Sequence, residues 1–306
     1  MIKILLCLLV LAAAGPVRAS DLFAQVGNLH VHYTVTGDGD ALVFCHGGYQ
    51  DLHMWALQET YFSKSYKVVL IDLPGHGQTT GVDTNVLAAD VIRSVMDTLR
   101  IRKATIIGLS MGAACATDFA LDYPDRVAGL IVVSPGLSGW PLVMKMDTLS
   151  KQLFDKMIRI QKTGDHALFA EGFAAVWCVG PYRKVTQVDQ QVWNYVYTTT
   201  LNNHTPDNGW PVYDTNYAAR RIKDIACPVL IIRGDKDIPF IVQVTDYYKQ
   251  QLPKATLITI TNVAHMLNME KPAEFNRVVA GWLSGEKGRV NPYAGRSNVA
   301  YMLARP

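Results

Sequence analysis

Six near-continuous apolar runs punctuate the chain: Ala41–Cys45, Val68–Ile71, Thr105–Ile107, Gly129–Val133, Val229–Ile232 and Thr256–Ile260. A strand that is apolar on both faces has no side to show to water. It needs a covering layer above and below, which is the pattern of a parallel sheet flanked by helices. Helical patterns lie between the runs, over Thr84–Leu99, Met111–Tyr123, Ile241–Leu252 and Ala273–Leu283. Thr84 is placed to cap the first of these, and Pro272 suits the first turn of the last. Strand–helix alternation of this kind predicts an α/β fold, a doubly wound and mostly parallel sheet. Two strands precede it, Phe23–Val26 and Leu29–Val35, which alternate and are joined by a Gly27-Asn28 turn.

The alternation stops between Pro135 and about Thr215. That stretch contains amphipathic segments and four of the six tryptophans, Trp140, Trp177, Trp193 and Trp210. It reads as a helical cap inserted into the sheet domain. The expected organisation is therefore a core over 20–134 and 216–284, a helical cap over 135–215, and a Gly/Arg-rich, loosely held tail over 285–306. Residues 1–19 read as an export signal. Lys3 supplies the basic start, Ile4–Ala14 is too short for a membrane span, and Val17-Arg18-Ala19 fits a signal-peptidase site. Cleavage near Ala19 predicts a periplasmic or secreted protein without stable membrane insertion.

The chain carries 29 basic and 26 acidic side chains, and Lys3 and Arg18 leave with the leader. A nearly neutral body gives no electrostatic reason to expect a nucleic-acid partner. Cys45, Cys115, Cys178 and Cys227 lie in apolar settings without a CxxC motif, which predicts single buried thiols rather than a disulfide framework.

The chemistry is signalled most clearly by Gly108-Leu109-Ser110-Met111-Gly112, which follows one predicted strand and opens a predicted helix. A nucleophilic serine needs a sharp turn that exposes its hydroxyl, and side chains two residues to either side would collide there. Serine also needs a base, and the base needs an orienting acid. With the serine in such an elbow, the acid and then the histidine follow in the chain. Val229–Ile232 runs into Gly234-Asp235-Lys236-Asp237, and Thr256–Ile260 into Asn262-Val263-Ala264-His265. Acid and base thus leave the carboxyl ends of strands, where open α/β sheets place their sites. The residue after the nucleophile, Met111, is expected to give one backbone N–H to an oxyanion hole.

In these motifs, from about Val26 to Leu283, the sequence resembles the α/β-hydrolase superfamily, and within it the capped serine hydrolases such as esterases and lactonases. The resemblance implies that the acid is the last residue of the Gly-x-x-Asp turn, Asp237, with Asp235 as its competitor. It implies His265 as the base, followed by Glu270-Lys271-Pro272, although Asn262 stands where a glycine is usual. It implies a second oxyanion donor at Gly48, in His46-Gly47-Gly48-Tyr49, with His46 structural. Asp72-Leu73-Pro74-Gly75-His76-Gly77 matches a scaffold loop near the pocket mouth. Tyr49, Trp140, Trp177, Trp193 and Tyr197 are the candidate substrate-binding residues.

Other features read as ordinary. His30 and His32 share a strand face but have no third ligand nearby, so exposed histidines are expected rather than a zinc site. Gly37-Asp38-Gly39-Asp40 needs no calcium to make a loop. Asn203-His204-Thr205 is a glycosylation sequon. The expected function is hydrolysis of a small neutral ester or lactone through Ser110, His265 and Asp237, with no metal or organic cofactor. Carbon–carbon bond hydrolases and peptidases of the same fold remain alternatives. A non-catalytic binding protein would be expected to have lost one of the three residues.

Overall fold

The computed structural model describes residues 20–203 and 209–285. The expected leader, His204 and Thr205 of the sequon, and all but the first residue of the expected tail lie outside the described residues. Eight strands form one sheet: β1 (Ser20–Val26), β2 (Leu29–Thr36), β3 (Ala41–Cys45), β4 (Lys67–Ile71), β5 (Ala104–Leu109), β6 (Val127–Val133), β7 (Val229–Gly234) and β8 (Thr256–Ile260). Their order is β1-β2-β4-β3-β5-β6-β7-β8. β1–β2 and β2–β4 pair antiparallel, and all other pairs are parallel.

The helices are α1 (Ala56–Phe62), α2 (Ala88–Thr98), α3 (Met111–Asp122), α4 (Thr148–Gln161), α5 (His166–Ala174), α6 (Gln190–Asn203), α7 (Ala218–Arg221), α8 (Pro239–Gln251), α9 (Leu267–Glu270) and α10 (Pro272–Leu283). Pleating divides the core in two. Val43, Ile106, Val132 and Ile231 point to the side covered by α2, α3 and α8. Phe44, Ile107, Ile131 and Ile232 point to the side covered by α1 and α10. Both faces of the central strands are therefore dry, which is why their sequences are apolar at nearly every position. Between β6 and β7 the chain leaves the sheet and builds α4, α5 and α6.

α2 starts four residues later than the sequence pattern implies. Its N-cap is Leu87, without a side-chain cap, rather than Thr84. Asp83 explains the delay, because its carboxylate accepts hydrogen bonds from Asn28 N and Asn85 N and holds this stretch as a loop. The first N–H of α2 finds the carbonyl of Val212 instead, at 2.8 Å.

His32 corrects the expectation of two exposed histidines. His30 is exposed, but His32 is fully buried, with Nδ1 2.7 Å from Asp72 and Nε2 3.1 Å from Asp21. Burial opposes its charge, yet the two carboxylates outweigh burial and raise its pKa above the ordinary value. Asp72 also accepts from Leu52 N and Gln78 N, so it organises the loops around it. The four cysteines are free thiols, and Cys227 is half-buried rather than buried.

Candidate active site

Ser110 sits between β5 and α3 with φ +54° and ψ −114°. A non-glycine residue at this φ is strained and must be held by its surroundings. Here Ser110 N donates to Val133 O at 3.0 Å, and Gly136 N donates to Ser110 O at 2.9 Å. The flanking glycines are obligatory. A Cβ on Gly108 would lie 2.2 Å from Gly112 O, and one on Gly112 would lie 2.3 Å from Cys45 O.

Asp237 and His265 come from the ends of β7 and β8. Both are buried, and His265 Nδ1 lies 2.8 Å from Asp237 Oδ2. The other carboxylate oxygen of Asp237 accepts from Ile238 N at 2.8 Å. Asp235 faces elsewhere: it accepts from Val263 N at 3.4 Å and pairs with Lys236 at 3.0 Å. Asn262 has φ +57°. This left-handed conformation is why glycine is usual at the position, and asparagine is the side chain that tolerates it best.

The loop after β3 carries Gly47, Gly48 and Tyr49. His46, buried beneath it, has Nδ1 2.8 Å from Gly47 O and accepts from Leu73 N on Nε2 at 2.9 Å. Burial lowers its pKa, so it is a neutral structural residue. Tyr49 has φ +58°. Met111 opens α3, where the first N–H groups lack intrahelical partners.

Ser110 and His265 line one cavity of about 400 Å³ together with Gly48, Met111, Tyr49, Trp140 and Trp177. Trp193 and Tyr197 do not line it. Both lie on α6, and Trp193 packs into the core layer beside Val192 and Val196 instead. Sequence reasoning missed Phe154 of α4, Phe173 of α5, Phe240 of α8, Met266 and Trp210. The signal for Phe154 was present as the apolar stripe Leu153, Phe154, Met157 on α4. Nothing in that stripe says that it faces Ser110.

Trp177 occupies a π-helical turn over Ala175–Val179, a distortion found often at functional sites. Its carbonyl accepts from His265 N at 3.2 Å, and its ring centroid lies 4.4 Å from that of His265. The turn is secured by Arg183, which donates to Val179 O and Cys178 O and pairs twice with Glu270, at 2.8 and 2.9 Å. The Arg183 and Glu270 side chains are 4% and 6% exposed. The histidine loop and the inserted helices are thus joined through one buried ion pair.

Residues 40–272 match the family model described as alpha/beta hydrolase fold. The chain belongs to the alpha/beta hydrolase fold family. It is 27% identical to the (E)-2-((N-methylformamido)methylene)succinate hydrolase of Acinetobacter baylyi, across 84% of this chain and 95% of that one. It is 29% identical to a 2-hydroxy-6-oxononadienedioate/2-hydroxy-6-oxononatrienedioate hydrolase of Burkholderia vietnamiensis, across 83% and 91%. Among solved structures it resembles a thermophilic esterase from Thermogutta terrifontis, with TM-score 0.71 and 20% identity over 88% of this chain and 98% of that one.

Proposed function

We propose that the protein is a serine hydrolase of small neutral carboxylic esters or lactones. One observation carries the choice of substrate. The cavity that holds Ser110 and His265 is walled mainly by aromatic, aliphatic and glycine residues, and among the described residues no Lys, Arg, Asp or Glu lines it. A charged substrate would lose its hydration there without gaining a partner. Its volume, about 400 Å³, suits a small molecule.

In this reading Ser110 Oγ attacks the carbonyl carbon while His265 takes the hydroxyl proton. Asp237, bonded to Nδ1, holds the imidazole with Nε2 free to act and stabilises its charged form. The oxyanion is met by N–H groups of Gly48 and Met111. His265 then returns the proton to the leaving alkoxide, and water attacks the acyl-enzyme by the same route in reverse. The hydrogen bond between Asp237 and His265, and the shared cavity of Ser110 and His265, support these roles.

The relative named for dienedioate substrates favours a second reading, a carbon–carbon bond hydrolase using the same three residues. Such substrates carry two carboxylates, and among the described residues the cavity offers them no Lys or Arg. A fluorophosphonate probe tests both readings' nucleophile: it should label the folded protein and fail to label Ser110→Ala. A panel of neutral esters, lactones and a dienedioate then separates them. Turnover of the dienedioate ahead of every neutral substrate would refute the ester reading.

A further inference from the structure

A second cavity lies behind the first. It encloses about 200 Å³ between α4 and α5, and its walls are Leu153, Met157, Ile158, Phe169 and Val176, with Gln161 as its one polar side chain outside Tyr49 and Trp177. Four side chains, Tyr49, Phe154, Phe173 and Trp177, line both cavities. Those four rings therefore lie between the second chamber and the cavity of Ser110.

The four shared side chains are rings in edge or tilted contact with one another. The Tyr49 ring centroid is 5.3 Å from that of Phe173, and Phe154 and Phe173 lie 5.9 and 6.0 Å from Trp177. Rotamer changes of side chains that are not closely packed are fast, on the picosecond–nanosecond scale when exposed. Phe154 and Trp177 are only half-buried, so neither is locked by a complete shell of neighbours. At the far end Ile158 is 47% exposed, so the chamber reaches the surface there.

We propose that this chamber is a subsite for the unbranched apolar tail of the substrate, and that the preferred substrates are medium-chain acyl esters or lactones bearing a medium-length alkyl chain. The proposal rests on the ester reading above and narrows it. At ~30 Å³ per water-sized group, 200 Å³ holds roughly six or seven such groups. An acetyl group would leave it empty. A chain of about eight carbons would start at Ser110, pass the four rings and fill it. Each methylene taken out of water contributes up to about fourfold in binding.

The test is a chain-length series of p-nitrophenyl esters from acetate to decanoate on three proteins. The unmodified protein should gain at least tenfold in kcat/KM between acetate and octanoate. Met157→Trp, which fills the chamber, should cut octanoate at least tenfold and leave acetate within about twofold. Ile158→Asp places a charge on an exposed side chain at the mouth, where folding is not at risk, and should do the same more weakly. Parallel losses on short and long esters, or no loss on either, would overturn the subsite. Calorimetric binding of 1-octanol to Ser110→Ala reads the chamber without turnover. It should be weakened by both substitutions, and unaltered binding would also overturn it. Absence of all ester cleavage together with intact, chamber-dependent octanol binding would instead defeat the ester reading alone.

Discussion

Asp235 and Asp237 stand two residues apart on one turn and meet different surroundings. Asp237 is 1% exposed and faces His265, whereas the Asp235 side chain is 27% exposed and beside Lys236. Asp237→Asn preserves volume but can hold the imidazole in the wrong tautomer, so kcat should fall by about 10³–10⁴-fold. Asp235→Asn should leave kcat within about threefold, since it alters one turn bond and a surface pair. Ester turnover by the two purified variants at one pH checks this, and the reverse ranking would move the acid role to Asp235. Sequence alone pointed to Asp237 through the family's turn pattern, not through any physical property of the two residues. Both are aspartates in one polar turn, and only the path of the chain after β8 decides which one meets His265.

At the scale of elements, the central strands were legible because each is a short run that is dry on both sides, and the first two because they alternate. All eight expected strands form, with ends that shift by at most three residues. The elbow was legible for a similar reason, since its glycines answer to close backbone contacts of 2.2 and 2.3 Å. The inserted helices were not legible in that detail. Their aromatic residues serve packing and cavity alike, so Trp140 and Trp177 reach the site while Trp193 does not. Long-range pins were also invisible. Asn203, at the end of α6, accepts from Gly77 N at 3.0 Å and donates to Tyr49 O and Gln50 O at 3.3 and 3.1 Å. It therefore fixes the loop that carries Gly48, next to the left-handed Tyr49. On the proposed mechanism Asn203→Ala should lower kcat by roughly tenfold or more, because small misplacement of the proposed oxyanion donor is costly. A labelled Ser110 with slowed turnover and little change in melting is the expected result. The Arg183–Glu270 pair predicts the opposite balance. Arg183→Ala leaves a buried carboxylate without its partner and should destabilise by about 3–5 kcal/mol. Urea unfolding measures it, and a cost below about 1 kcal/mol would mean that the pair does not hold the turn under Trp177.

For the molecule as a whole, the buried titratable groups set how stability varies with pH, and they do not all pull the same way. Burial lowers His46, and it brings His76 down to about 3, with the nearby His46 adding to the effect. These imidazoles are neutral in the folded protein but bind protons when unfolded, so each contributes a loss of stability as pH falls below 6.5. Asp118 of α3 acts in the opposite sense. Burial raises its carboxyl from 3.8 to about 7, and the hydrogen bond from Ser138 Oγ at 2.7 Å only partly compensates. Its second oxygen has no hydrogen-bond partner among the described residues. The folded protein therefore holds a proton that the unfolded chain releases, and Asp118 costs stability progressively as pH rises from about 4 to 7. His32 adds a loss above 6.5, because its raised pKa makes its contribution greatest below that value. On the acid side the losses at His46 and His76 are opposed by Asp118 and by Glu270, whose carboxyl burial also raises, and on the alkaline side His32 adds its own loss. Asp118→Asn isolates one contribution. The amide oxygen can still accept from Ser138, and no charge is left to bury. The variant should match the unmodified protein at pH 4, gain steadily to pH 7, and keep an advantage of a few kcal/mol above that. Melting temperatures of both proteins from pH 4 to 8 decide it. A difference that is constant with pH, or largest at pH 4, would show that Asp118 is ionised in the fold throughout.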